Sequence, residues 1–333
     1  MNASAQTAAE PSPGLKELAA AYNIWIGPCV AFAPLTTDLA YAETLRREFS
    51  VVTPENEMKW ALIHPERERY DFTRADAIVD FARANGMAVH GHTLVWHNQV
   101  APWLAAGYTA GEFRRDELLD LLRDHIATVV GRFAGAVAAW DVINEGLAGN
   151  GSLRETLWLR GIGPEYLILA FQMAHDADPQ AKLLYNDFDI EPINPKSDAL
   201  YALLSDLLRQ GAPVHGVGFQ MHLTAAGVDL ERFARNMQRF ADLGLDLYVT
   251  ELDVRLQLPV TPAKLEAQAA IYRGVLDTCL AQPAFRGFQM WGFTDRHSWI
   301  PTHYPGYGAA LPFDERYAPK PAYYALRDRL ATR

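Results

Sequence analysis

Short runs of apolar and β-branched residues alternate along the whole chain with longer stretches of helical periodicity. The runs predict strands over residues 23–27, 50–53, 88–95, 138–144, 182–186, 216–221, 246–251 and 288–293. Several are nearly continuous apolar runs, the pattern of strands covered on both faces. Helix signals fall between them. Thr73 and Asp76 have the spacing of a capping box, Ile78, Phe81 and Ala82 share one helical face, and Asn85-Gly86 supplies a stop. Residues 112–133 predict one long amphipathic helix bearing Leu118, Leu119, Leu122, Ile126 and Val129. Thr261-Pro262 opens another with proline at its first position, and residues 320–330 predict a closing helix. Eight strand–helix units predict an α/β chain folded as a closed (β/α)8 TIM barrel. A doubly wound open sheet would want a glycine-rich phosphate loop after the first strand. Ile26-Gly27-Pro28-Cys29-Val30 lacks one.

Length fits that picture, since α/β barrels commonly run to the 333 residues found here as one domain. Residues 1–14 are small and polar with two prolines and no apolar signal core, so they read as a flexible leader before a single catalytic domain over 15–333. The net charge of −10 argues against a nucleic-acid partner, which calls for basic patches. No apolar run is long enough to span a membrane. Cys29 and Cys279 are too few for a disulfide framework and are expected as free thiols.

Candidate chemistry lies where the strands end. Trp140-Asp141-Val142-Ile143-Asn144-Glu145 and Tyr248-Val249-Thr250-Glu251 each carry a glutamate to the end of a buried strand. In a barrel those ends face the active site. A lone glutamate there reads best as a salt-bridge partner. Two in matching positions meet the minimum requirement for cutting a glycosidic bond. Around them fall Glu55, Asn56, Lys59 and Trp60 after the second strand, and His90, His92, Trp96 and His97 at the third. Asn186 and Asp187 end the fifth, Gln220 and His222 the sixth, and Trp291, Asp295 and Trp299 follow the eighth. Indole faces suit the C–H faces of a sugar, while amides, lysine and histidine bond its hydroxyls. Trp25 and Trp140 sit inside strands and are expected in the core; Trp103 and Trp158 fit either role.

Two rival readings carry less. His90 and His92 share one strand face and suggest a metal-dependent hydrolase recruiting His97, His222 and Asp295. The fourth and seventh strands offer no group to bridge metals, so neither metal nor cofactor is expected. A non-catalytic sugar-binding barrel would have lost its acid, whereas both glutamates are present.

Seven ordered stretches carry a resemblance. They are Thr53-Pro54-Glu55-Asn56-Glu57-Met58-Lys59-Trp60, Gly91-His92-Thr93-Leu94-Val95-Trp96-His97, Trp140 to Glu145, Tyr185-Asn186-Asp187, Gly218-Phe219-Gln220-Met221-His222, Val249-Thr250-Glu251-Leu252-Asp253, and Trp291-Gly292-Phe293-Thr294-Asp295 with Ser298-Trp299. Through these the chain resembles glycoside hydrolase family 10, the endo-β-1,4-xylanases, over about residues 15 to 330. The resemblance implies retaining hydrolysis of xylan and xylo-oligosaccharides, with Glu145 as acid/base and Glu251 as nucleophile. It also implies that Glu55, Asn56, Lys59, His92, Trp96, Asn144, Gln220, His222, Trp291 and Trp299 bind sugar on the non-reducing side. His222 is expected to orient Glu251, with Asp253 behind it. Met221 departs from the small residue common at its position, as does Asp189 from Asn, and Pro28-Cys29 from small residues. Those departures bear on subsite preference and loop shape. A monomer is expected. Polymeric substrate favours export or a periplasmic location, and a hydrolase of short oligomers could work in the cytoplasm.

Overall fold

The computed structural model describes residues 13–332. The leader predicted over residues 1–14 therefore lies almost wholly outside the described residues. Eight strands form the barrel: β1 (Trp25–Val30), β2 (Val51–Pro54), β3 (Ala88–Val95), β4 (Ala139–Asn144), β5 (Lys182–Asp187), β6 (Gly216–Phe219), β7 (Asp246–Gln257) and β8 (Phe285–Met290). Each pairs in parallel with the next, from Cys29 opposite Thr53 round to Val249 opposite Phe288. Trp25 opposite Gly287 closes the ring between β8 and β1. The fold is a (β/α)8 TIM barrel, with helices in the crossovers. Packing between strands is tight enough to dictate composition. A Cβ on Gly91 would lie 2.2 Å from the ring of Trp140, which fills the space against β3.

The elements depart from the sequence reading in instructive places. The first strand starts two residues later than expected, because Asn23 adopts φ +56° in the turn that closes the preceding helix. Cys29 thus lies inside β1; it and Cys279 are buried free thiols. The expected sixth strand breaks after Phe219, where Met221 takes φ +65°, and resumes as a short strand over His222–Thr224. That extra strand pairs with β7, which consequently runs to Gln257 and not to Glu251. The last strand sits three residues earlier than expected and ends before Gly292, whose φ is +104°.

Among the helices, the single one expected over residues 112–133 is Arg115–Arg132, preceded by a separate helix at Pro102–Thr109. The capping box of Thr73 and Asp76 is not made. Asp71 accepts the Thr73 N–H instead, and Asp76 holds Arg132 at 2.6 Å. Thr261 does cap its helix, accepting from the Lys264 N–H, and the closing helix runs from Pro321 to Ala331. Trp140 is fully buried, while Trp25 is half-buried against Ala139, Leu184 and Tyr248.

Candidate active site

A groove of about 580 Å³ opens at the C-terminal ends of the strands and holds both glutamates. Its walls include Glu55, Asn56, Lys59, His92, Trp96, Asn144, Gln220, His222, Trp291 and Trp299. The elements explain why each arrives there. Glu251 lies within β7, so its strand neighbours fix its backbone. Glu145 follows the last residue of β4 with φ +56°, a left-handed conformation unusual for a residue with a Cβ. Its N–H still donates to Asn186 at 2.8 Å, which ties the turn to β5.

Glu251 is buried and held from two sides. Asn186 donates Nδ2 to Oε1 at 2.7 Å, and His222 Nε2 meets Oε2 at 3.1 Å. Asp253 Oδ2 meets the other nitrogen of His222 at 2.8 Å and also accepts from Trp299 Nε1 at 2.9 Å. Burial works against a charged His222. The two carboxylates, Asp253 first, prevail and hold its pKa well above the ordinary value. His222 is therefore an imidazolium between two anions. Burial likewise opposes ionisation of Glu251, and the hydrogen bond from His222 with the charges of His92 and His222 overrides it. The carboxyl sits below its ordinary value. Glu251 is an anion over a wide pH range.

The same amide of Asn186 donates to Asn144 Oδ1 at 2.9 Å, so one side chain spans from the residue beside Glu145 to Glu251. Its own Oδ1 accepts from Thr250 at 2.7 Å. Gly218 makes room for this, since a Cβ there would stand 2.3 Å from Asn186 Oδ1. Glu145 is held more loosely. Gln220 Nε2 lies 3.2 Å from its Oε1, Asn144 Nδ2 at 3.5 Å, and His97 Nδ1 is 3.9 Å from Oε2.

Below the groove a buried polar chain crosses the barrel. Thr53 donates to Gln289, Gln289 bonds His90 Nδ1, and Asp141 engages His90 Nε2 at 2.9 Å and His92 Nδ1 at 2.8 Å. Burial would raise the Asp141 carboxyl, yet the two imidazoles bring it down to about 2. Both nitrogens of His90 are thus occupied within the protein. The described residues contain no cluster of three or more His, Cys, Asp and Glu arranged for a metal.

Lys59 bonds Asn56 at 3.1 Å and lies over the rings of Trp96 and Trp291, at 4.9 and 5.6 Å. Burial lowers its pKa and raises that of Glu55. Other tryptophans support the wall from behind. Trp60 stacks on His125 at 3.5 Å and donates to the Leu94 carbonyl, and Trp158 donates to the Trp96 carbonyl. Trp103 bonds the His64 carbonyl, away from the groove. Asp295 also turns away, paired with Lys320 at 2.7 Å.

Three groove residues, Arg255, His303 and Tyr304, were not expected from the sequence, and Asn186, behind the groove, was expected only as a strand-end polar group and not as the anchor of Glu251. The first three depend on the extension of β7 and on the loop beyond Trp299.

A closed barrel that sets one glutamate just past the end of β4 and another within β7, in one groove walled by indoles and amides, is the architecture of a glycoside hydrolase. The chain belongs to Glycosyl hydrolase family 10, whose sequence profile matches residues 14–329. It is 48% identical over 317 residues to endo-1,4-beta-xylanase B of Thermotoga neapolitana, covering 94% of this chain and 90% of that protein. Among solved structures, xylanase 10B from Thermotoga petrophila RKU-1 in complex with xylobiose superposes with a TM-score of 0.94. The two are 47% identical, with 97% of this chain and 99% of that one covered. An intracellular xylanase from Thermoanaerobacterium saccharolyticum gives a TM-score of 0.88 at 35% identity, over 95% and 99% of the two chains.

Proposed function

We propose that this chain is an endo-1,4-β-xylanase that cleaves xylan and xylo-oligosaccharides by double displacement. The observation that carries the assignment of roles is the unlike treatment of two glutamates in one groove. Glu251 is a fixed, buried anion clamped by His222 and Asn186, the state a nucleophile requires. Glu145 is half-buried with longer contacts, the state of a group that must give up a proton and take one back.

In the first step Glu145 protonates the glycosidic oxygen while a Glu251 carboxylate oxygen attacks the anomeric carbon, and the C–O bond to the leaving sugar breaks. In the second, Glu145 removes a proton from water, whose oxygen displaces Glu251 from the same carbon. Asn144 donates toward the sugar 2-hydroxyl, where contacts strengthen in an oxocarbenium-like transition state. Lys59, Asn56, Trp96 and Trp291 hold the non-reducing side. Retention requires carboxyl groups ~5–5.5 Å apart, and Glu145 and Glu251 line the same groove.

Proton NMR of the first products from β-linked xylan tests this. The β-anomer should form first and mutarotate later. Initial release of the α-anomer would overturn the retaining assignment. A polymeric substrate favours action outside the cell or in the periplasm, and fractionation of the source cells with a xylanase assay on each fraction decides it.

A further inference from the structure

Gln220 and His222 serve different glutamates, and one residue separates them. Gln220 Nε2 lies 3.2 Å from Glu145 Oε1, and His222 Nε2 lies 3.1 Å from Glu251 Oε2. Between them Met221 is fully buried and takes φ +65°. A left-handed backbone is disfavoured for a residue with a Cβ and persists only where its surroundings impose it. β6 has ended at Phe219, and the Met221 N–H donates to the side chain of Glu191, reaching Oε1 at 2.9 Å. On the other side of the same residue, the Met221 carbonyl accepts from the Asp253 N–H at a longer 3.4 Å. The carboxyl of Glu191 is thus the closer tie on this turn.

Glu191 is itself a fixed point. It is 5% exposed and belongs to the loop after β5. Asn236, in the helix Leu230–Ala241, holds that loop by donating Nδ2 to the carbonyls of Ile190 and Glu191 at 2.6 and 2.9 Å. Arg239 in turn donates to Asn236 Oδ1 at 2.6 Å and pairs with Asp198 in the helix Pro195–Arg209. The position of the carboxyl is therefore set by two outer helices. Burial pushes it up to about 7, with a further rise from Asp189, while the N–H groups of Met221 and Glu191 and the charge of His222 pull the other way. Below that pH Glu191 is a neutral acceptor, which a glutamine resembles in charge and shape.

We propose that Glu191 is a positioning residue for the hydrolysis: by accepting from the Met221 N–H it pins the left-handed turn that sets Gln220 against Glu145 and His222 against Glu251 together. The inference rests on the roles read above for the two glutamates and reaches one layer behind them. If the turn shifts, both contacts move in one motion, and a misplacement of ~1 Å is enough to cost about 10²-fold in rate. Glu191 also forms part of the groove wall, so direct bonding to sugar is the rival role. The two roles separate kinetically. A contact made equally to bound substrate and transition state appears in KM, whereas misplaced reacting groups appear in kcat.

The test compares variants of the intact chain on xylan, with rates expressed per folded molecule from urea unfolding. Glu191→Leu removes the acceptor and should lower kcat by about 10- to 100-fold, with KM within about twofold of native. The acid limb of kcat/KM should also move to higher pH, because His222, once displaced, no longer helps to hold the Glu251 carboxyl down. Glu191→Asp keeps the polar group but withdraws it by one methylene. It should show the same two changes in weaker form, and it carries the test if Glu191→Leu does not fold. Glu191→Gln restores an acceptor and should regain the larger part of the lost rate, with the acid limb back in its native place. Native kcat and an unmoved acid limb in the acceptor-deficient variant would overturn the proposal. So would a Glu191→Gln as slow as Glu191→Leu or Glu191→Asp, or a loss confined to KM. Failure of the native enzyme to cut xylan would instead defeat the xylanase reading itself.

Discussion

Glu145 and Glu251 face one groove, but the protein treats them oppositely. The side chain of Glu251 is 6% exposed and that of Glu145 13%. Glu251 takes two hydrogen bonds of 3.1 Å or less, one from a charged imidazole; the contacts of Glu145 begin at 3.2 Å. Glu251 sits in regular strand backbone, while Glu145 takes φ +56° just past a strand end. Under the roles proposed for them, the contrast teaches that a matched pair of residues can be divided by surroundings alone. A group that must stay charged and aimed is enclosed and overdetermined. A group that must exchange protons is left reachable and held by weak, interchangeable donors.

The sharpest way to break this comparison is to remove each carboxylate in turn. Glu251→Ala should lower kcat on every substrate by on the order of 10⁴-fold or more, because no covalent intermediate can form. Glu145→Ala should lower kcat/KM on xylan by about 10²–10⁴-fold yet retain activity on aryl xylobiosides with good leaving groups, and azide should restore turnover with retained configuration. Azide rescue with retention in Glu251→Ala instead would reverse the two roles.

A smaller effect should follow from loosening the clamp without touching either glutamate. Because the Glu251 carboxyl is depressed, its charged form is present above its folded-state value and is lost as pH falls through it. His222→Gln removes the imidazolium that helps depress it. The acid limb of kcat/KM should then move to higher pH, and kcat should fall by on the order of 10²-fold. A drop in rate with an unmoved acid limb would mean His222 serves only packing.

The mildest probe concerns the amide that joins the two halves. In Gly218→Ala the new methyl would crowd Asn186 Oδ1 and the Thr250 methyl, at 2.3 and 2.8 Å. Overpacking of this kind should destabilise by about 1–3 kcal/mol in denaturant unfolding. Any loss of activity should appear in kcat, since Asn186 anchors Glu251 directly. Stability and kcat both at the native level would show that the close fit of β5 against β6 has slack.

Much of the barrel was legible because each strand is a compact apolar run and each catalytic candidate lies next to one. The two glutamates, the three indoles Trp96, Trp291 and Trp299, and the polar groups from Glu55 to Lys59 needed only that periodicity and the family resemblance. What stayed hidden depends on contacts distant in sequence. Asn186 bridges partners 42 and 65 residues away, and no local pattern announces that one amide will serve both. Arg255 escapes because the apolar run of β7 ends near Glu251; the strand's continuation pairs with the short strand at His222–Thr224, which follows the left-handed turn at Met221. Trp60 illustrates the reverse. It follows a strand end as a sugar-binding indole would, but its ring is spent on His125.

The left-handed backbone of Glu145 bears on how this chain can drift over generations. Such a conformation costs a non-glycine residue of order 1–3 kcal/mol, a burden that persists whether or not substrate is present. At this position selection for turnover and selection for a durable fold therefore pull apart. Asparagine or glycine would rest more comfortably in the turn and, given the role proposed for Glu145, would end xylan cleavage in the same stroke. A lineage released from digesting polysaccharide should lose this glutamate early and gain thermal resistance as it does so, turning an enzyme into a sturdier sugar-holding barrel by a single codon change.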